Sequence, residues 1–223
     1  MKIKDLDGYK NQEVESLLRR IPFFKELQSH NPKQLEILLR YSCLVELDPG
    51  ETIMRRGDRG SWLYFLIKGR LVVYLDQAEE IPLSHITPGE LFGDLALLCD
   101  HQRKATVAAD SGDKHALLFA TDFKPFGDLS DFSVVDLQTK LIFYRTMVHS
   151  IRWRLELKRM QLPAHPLAAE TRQVPTYKGP KETEEELRSL FQQAKFLALV
   201  LDKWNSDGLS IEDVVVANAA NSS

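Results

Sequence analysis

Between residues 42 and 121 the chain drops helical spacing and becomes a series of short β-rich runs cut by glycine and proline. Turn residues return at intervals of about eight to twelve, the rhythm of an all-β sandwich or barrel. Residues 43–47 are one run, turned by Asp48-Pro49-Gly50, and residues 52–55 are the next, ended by Gly57-Asp58-Arg59-Gly60. Residues 62–67 and 71–75 flank Lys68-Gly69, the spacing of a tight hairpin. Residues 81–86, 105–109 and 116–120 complete the set, with Gly50, Gly57 and Gly69 expected at positive φ. Residues 90–102 do not alternate and read as an irregular loop with a short helix.

Helical patterning flanks this block. Val14, Leu17 and Leu18 recur at helical spacing before a break at Ile21-Pro22-Phe23-Phe24. Asn31-Pro32 then opens a second helix as N-cap and first-turn proline, with Leu35, Leu38 and Leu39 as its stripe. After Asp122, a 3-4-3-4-3-4 spacing links Val134, Leu137, Leu141, Tyr144, Val148, Ile151 and Leu155. That is nearly three heptads, and Ile142, Phe143, Met147 and Leu157 widen its face. Such a helix can pack on its own barrel with one side and on a twin with the other, so a homodimer is expected through it. Residues 161–182, holding Pro163, Pro166, Pro175, Gly179 and Pro180, read as a linker. A last helix begins at the capping box of Thr183 and Glu186, with Leu187, Leu190, Ala194, Leu197, Leu201 and Trp204 as its stripe. The tail 217–223 is small and polar and is expected to be disordered. The expected class is α+β: a jelly-roll β-barrel of about eight strands, N-terminal helices, a long helix after the barrel and an extra C-terminal helix. Its segments are 1–41, 42–121, 122–160, 161–182 and 183–223.

Composition narrows the function classes. A net charge of -3 argues against a general nucleic-acid or membrane-surface binder. Residues 1–18 have no apolar signal region, and no stretch approaches the ~18 apolar residues of a membrane span, so a cytoplasmic protein is expected. Cys43 and Cys99 make neither a disulfide framework nor a zinc spacing. His85, His101 and His115 lack the paired spacing of a jelly-roll metalloenzyme, so no metal is expected. Arg152, Arg154, Lys158 and Arg159 read as a solvated helix face. Asn205-Ser206-Asp207-Gly208 fails the ligand spacing of a calcium loop and reads as a turn.

The chemistry lies in Gly89-Glu90-Leu91-Phe92-Gly93-Asp94-Leu95-Ala96-Leu97 and Gln102-Arg103-Lys104-Ala105-Thr106-Val107. A glycine-opened backbone and a short helix start offer N–H groups to phosphate, and Arg103, nine positions after Asp94, adds a charge-assisted contact. A carboxylate repels phosphate, so Asp94 suits a neutral donor such as a ribose hydroxyl. Phosphate with ribose implies a nucleotide.

This pair of segments resembles the phosphate-binding cassette of cyclic-nucleotide-binding domains, the family of protein kinase A regulatory subunits and the bacterial cAMP receptor protein. Pro49-Gly50-Glu51, Gly57-Asp58, Tyr64, Gly69 and Ile21-Pro22-Phe23-Phe24 fit the same family over residues 18–160. The resemblance implies a ligand site of Phe92, Gly93, Asp94, Leu95, Ala96, Arg103, Lys104 and Ala105. In it Arg103 holds the cyclic phosphate with the N–H groups of Ala96 and Ala105, while Gly93 lets the backbone approach the ribose. Asp94 stands where the family has glutamate, one methylene longer. A lost hydrogen bond to a charged group is worth about 1.5–3 kcal/mol, roughly ten- to a hundredfold in affinity. Lys104 replaces a small residue or threonine, which tilts the expected ligand to cAMP over cGMP, and Asp100 replaces a loop glycine. The expected function is a non-catalytic cAMP sensor acting through a protein effector. The alternative is a degenerate barrel used for docking or oligomerisation. Direct DNA binding is not expected, since no helix-turn-helix follows the long helix.

Overall fold

A computed structural model describes residues 1–6, 16–19, 21–75, 82–99, 102–172, 174 and 176–207. Val14, Ile81, Asp100, His101, Gly208 and the tail 217–223 lie outside the described residues. Strands β1 (Lys2–Asp5), β2 (Ser42–Leu47), β9 (Ala116–Asp122), β4 (Trp62–Lys68) and β7 (Leu91–Phe92) form one antiparallel sheet in that order. The second has the order β3 (Thr52–Met54), β8 (Thr106–Ala109), β5 (Leu71–Tyr74), β6 (Ser84–Ile86). Two such sheets with non-sequential neighbours make the jelly-roll barrel.

β1 corrects the expectation that everything before residue 42 is helical. It pairs antiparallel with β2, Lys2 facing Glu46, and forms the sheet's edge. Four residues with a single apolar side chain, Ile3, carry little strand signal of their own; pairing with β2, about 40 residues downstream, supplies it.

Alternation along β4 explains why the first sheet is buried on both faces. Leu63, Phe65 and Ile67 pack with the helices, while Tyr64 and Leu66 face the barrel interior with Leu47, Leu71, Val107 and Leu118. Helices α1 (Pro22–His30) and α2 (Pro32–Leu39) cover the outer face. Phe24 lies edge-on to Phe119 with centroids 4.7 Å apart, and Phe23 bridges Phe65 and Phe143 at 5.9 and 5.8 Å. The apparent break at residues 21–24 is therefore the start of α1 and its docking point. Asn31 caps α2, and its Nδ2 donates to Asp136, the N-cap of the long helix.

After the short helices α3 (Asp94–Leu98) and α4 (Lys124–Gly127), α5 (Leu137–Gln161) crosses the molecule. It starts three residues after Val134 because Asp136 accepts from Thr139 N at 2.8 Å. Buried Lys140 ties the preceding loop down by donating to Asp128 O and Asp131 O. Residues 161–182 are no free linker. Within them α6 (Leu167–Glu170) and Val174 bury Leu167, Ala168 and Val174 in the core. The last helix, α7 (Glu184–Ser206), absorbs Asn205 and Ser206 in its final turn and packs along α5. Arg145 pairs with Glu186 and Arg152 donates to Gln193, so the two helices run in the same direction.

That packing redirects the expected dimer seam. Leu141, Tyr144, Val148, Ile151 and Leu155 are buried within the chain itself. The apolar stripe meant for a twin helix is covered by α7 and the body of the same molecule. Among the described residues no helix is long and apolar enough to cross a membrane.

Candidate ligand-binding site

The site is assembled where β7 ends. Phe92 pairs with Tyr64 of β4, and the chain then turns through Gly93 at φ 86 into α3. This left-handed conformation favours glycine. Arg103 is fixed from the opposite side by the 55–60 turn: its N–H donates to Asp58 O, and Gly57 N–H donates to its carbonyl, both at 2.8 Å.

Held this way, the Arg103 side chain crosses towards Gly93. Nη1 donates to Gly93 O and Nη2 to Trp62 O, each at 2.9 Å, and the guanidinium carbon lies 5.7 Å from the Tyr64 ring centroid. The residue is only 5% exposed. Burial lowers its pKa, opposed by Tyr64 and by the Asp94 carboxylate. Burial likewise raises the Tyr64 phenol, opposed by Arg103. A guanidinium has five N–H donors and stays charged, so the two bonds to main-chain carbonyls leave donors for an anion.

Asp94 is 1% exposed. Its Oδ2 accepts from Arg154 Nη2 of α5, while its Oδ1 has no partner among the described residues. Arg154 thus departs from the solvated face expected of residues 152–159: the turn of α5 that carries it faces the cassette. Lys104 Nζ reaches Asp202 Oδ2 of α7 at 3.2 Å.

These groups surround a cavity of about 1010 Å³. Phe92, Gly93, Asp94, Leu95, Ala96, Arg103, Lys104 and Ala105 all line it. The barrel interior adds Met54, Val73, Ile86 and Val107, α5 adds His149, Trp153 and Arg154, and α7 adds Leu201 and Asn205. Its size lies at the upper end for small-molecule sites, about 300–1,000 Å³. One wall is apolar, as a base requires; the other holds a buried cation and a carboxylate. Reading by spacing found the cassette wall. It missed Arg154, Trp153, Leu201 and Asn205, whose only signal was a helical stripe with unassigned polar neighbours. No cluster of three metal-ligating side chains occurs among the described residues.

Residues 44–124 match a family described as the cyclic nucleotide-binding domain. A cAMP-dependent protein kinase type II regulatory subunit of Drosophila melanogaster is 31% identical over 139 residues, covering 60% of this chain and 36% of that protein. A cGMP-dependent protein kinase of Plasmodium berghei (strain Anka) is 40% identical over 73 residues, 32% of this chain and 8% of that one. The chain thus spans about a third or less of the length of these curated relatives. A solved structure described as cAMP bound PfPKA-R (141-441) superposes with a TM-score of 0.50 at 21% identity, over 73% of this chain and 50% of that chain. That likeness speaks to the fold. The cassette and most of the jelly-roll frame fall within residues 44–124, the stretch that matches the cyclic nucleotide-binding domain family.

Proposed function

We propose that this chain binds cAMP in the cassette cavity and works as a non-catalytic sensor whose helices signal to a protein partner. One observation carries the reading: a buried guanidinium with spare donors and a buried carboxylate with an unpartnered oxygen line the same 1010 Å³ cavity. Arg103 takes the cyclic phosphate, and the ribose 2′-hydroxyl donates to Asp94 Oδ1. The purine lies against the apolar wall from Val73, Ile86 and Val107. Because Asp94 is also bonded to Arg154, ligand at the cassette and the position of α5 are coupled, which is how a sensor passes occupancy to its helices. The regulatory role named for the Drosophila relative supports a protein effector. Relatives named for each nucleotide make the choice of cAMP over cGMP a matter for titration.

Calorimetric titration with cAMP, cGMP and cyclic dinucleotides tests this on the wild type and on Arg103→Ala. We expect cAMP to bind at micromolar concentration and the variant to lose at least tenfold, as removal of a charge-assisted bond of about 1.5–3 kcal/mol requires. The Asp94–Arg154 pair also favours a second reading, in which the carboxylate is a structural counter-ion and the barrel is a docking module. Absence of heat and of a thermal shift with every nucleotide at millimolar concentration selects that reading.

A further inference from the structure

Helix α7 lies outside the matched region, yet it forms part of the cavity wall. Lys104, the residue after the cassette arginine, is joined to Asp202 of α7 at 3.2 Å, with both side chains about a quarter exposed. On the same helix the adjacent Leu201 and, one turn further on, Asn205 line the cavity. The unpartnered atoms in this wall are informative. Among the described residues, buried side-chain polar atoms without a partner occur on Asp94, Thr121, Thr139, Trp204 and Asn205. Of these residues only Asp94 and Asn205 line the cavity, and both unpartnered atoms are oxygens, Oδ1 in each case. A buried acceptor without a donor costs free energy, so such atoms mark where a donor from outside belongs. An adenosine cyclic monophosphate carries two donor groups, the ribose 2′-hydroxyl and the exocyclic amino group of the base. The two unpartnered oxygens offer one acceptor for each.

We propose that α7 completes the nucleotide site, that Asn205 Oδ1 accepts a hydrogen bond from the exocyclic amino group of the base, and that the Lys104–Asp202 pair clasps the helix in place. Base preference then resides in a helix outside the matched domain, while phosphate and ribose are held within it. This inference rests on the cassette binding a cyclic nucleotide as stated above.

The test compares three ligands on the full chain: cAMP, its analogue lacking the 6-amino group (purine riboside 3′,5′-cyclic phosphate) and 2′-deoxy-cAMP. Each is titrated calorimetrically into wild type, Asn205→Ala and Asp202→Ala, with far-UV circular dichroism confirming the fold. In the wild type, loss of the amino group should weaken binding about threefold to tenfold, and loss of the 2′-hydroxyl, which bonds a carboxylate, about ten- to a hundredfold. In Asn205→Ala the preference for cAMP over the deamino analogue should vanish while the 2′-deoxy penalty persists. In Asp202→Ala that base preference should shrink as the helix loses its clasp. If Asn205→Ala keeps both preferences, α7 does not read the base, and the cassette assignment stands without it. If it loses the 2′-deoxy penalty instead, Asn205 faces the ribose and the base assignment falls. If the wild type binds none of the three, the cassette reading and this inference fall together.

Discussion

Gly60 shows how tightly the arginine is boxed. A Cβ built there would lie 2.4 Å from Arg103 Nε and Nη2, and one on Gly93 would lie 2.9 Å from Nη1. Either Cβ would require the guanidinium to shift, so both glycines leave the space that it occupies. We expect Gly60→Ala to push Arg103 out of register and to weaken nucleotide binding tenfold or more by calorimetry, close to the loss in Arg103→Ala. Gly93→Ala adds the left-handed backbone to the same clash, and urea denaturation should show at least the roughly 1–2 kcal/mol that such a conformation costs. Arg154 belongs at this scale too. Removing it would leave the Asp94 carboxylate buried without its counter-ion, so Arg154→Ala should destabilise the fold by about 3 kcal/mol. The double variant Asp94→Ala/Arg154→Ala should lose less than the sum of its parts in a double-mutant cycle. Arg103 was legible because it stands in a motif of fixed order. Arg154 was not, because basic side chains recur along its run (Arg152, Lys158, Arg159) and only the packing of α5 selects the one that meets Asp94.

At the scale of elements, the N-terminus of α7 depends on one carboxylate. Thr183 Oγ1 accepts from Glu186 N at 3.2 Å, while Glu186 Oε2 accepts from Glu182 N at 2.7 Å and Arg145 Nη2 bonds both its oxygens at 3.0 Å. The capping box read at Thr183 and Glu186 is present in altered form, since the glutamate also ties α7 to α5. Burial pushes the Glu186 carboxyl up, but the Glu182 N–H and the Arg145 guanidinium outweigh it and hold the carboxyl below its ordinary 4.5. A carboxyl depressed in the folded state contributes stability above its unfolded value and loses it as pH falls through the folded value. Glu186→Gln should therefore cost about 1–2 kcal/mol at pH 7, allowing for the part-exposed arginine. In urea melts the gap between variant and wild type should narrow once pH drops below 4.5. The strands cut by glycine and proline turns were readable because turn chemistry is local. β1 and β7 were not: β1 carries one apolar residue, Ile3, β7 holds two residues, and each is defined by its pairing with a distant strand.

For the molecule as a whole, the decisive fact is what covers α5. Ile151 is 0% exposed in a single chain, between the barrel side and α7. Ile151→Ala should destabilise by about 2–5 kcal/mol, the range for truncating a buried isoleucine. Because the contact is internal, its melting temperature should be independent of protein concentration and its sedimentation unchanged. A concentration-dependent melt lost in the variant would restore the twin-helix seam. The heptad spacing by itself determined that α5 is a helix with a wide apolar face, just as the turn rhythm determined a barrel and the cassette order determined the position of its cation. The first two repeat every few residues, the third is a contiguous motif, and none needs a distant partner to be read. Tertiary structure alone decided what lies against that face, and that the proline-rich 161–182 stretch packs into the core. It also decided that Leu201 and Asn205 reach the cavity. An apolar stripe specifies burial without specifying by whom, and burial within one chain and burial between two leave the same spacing in the sequence.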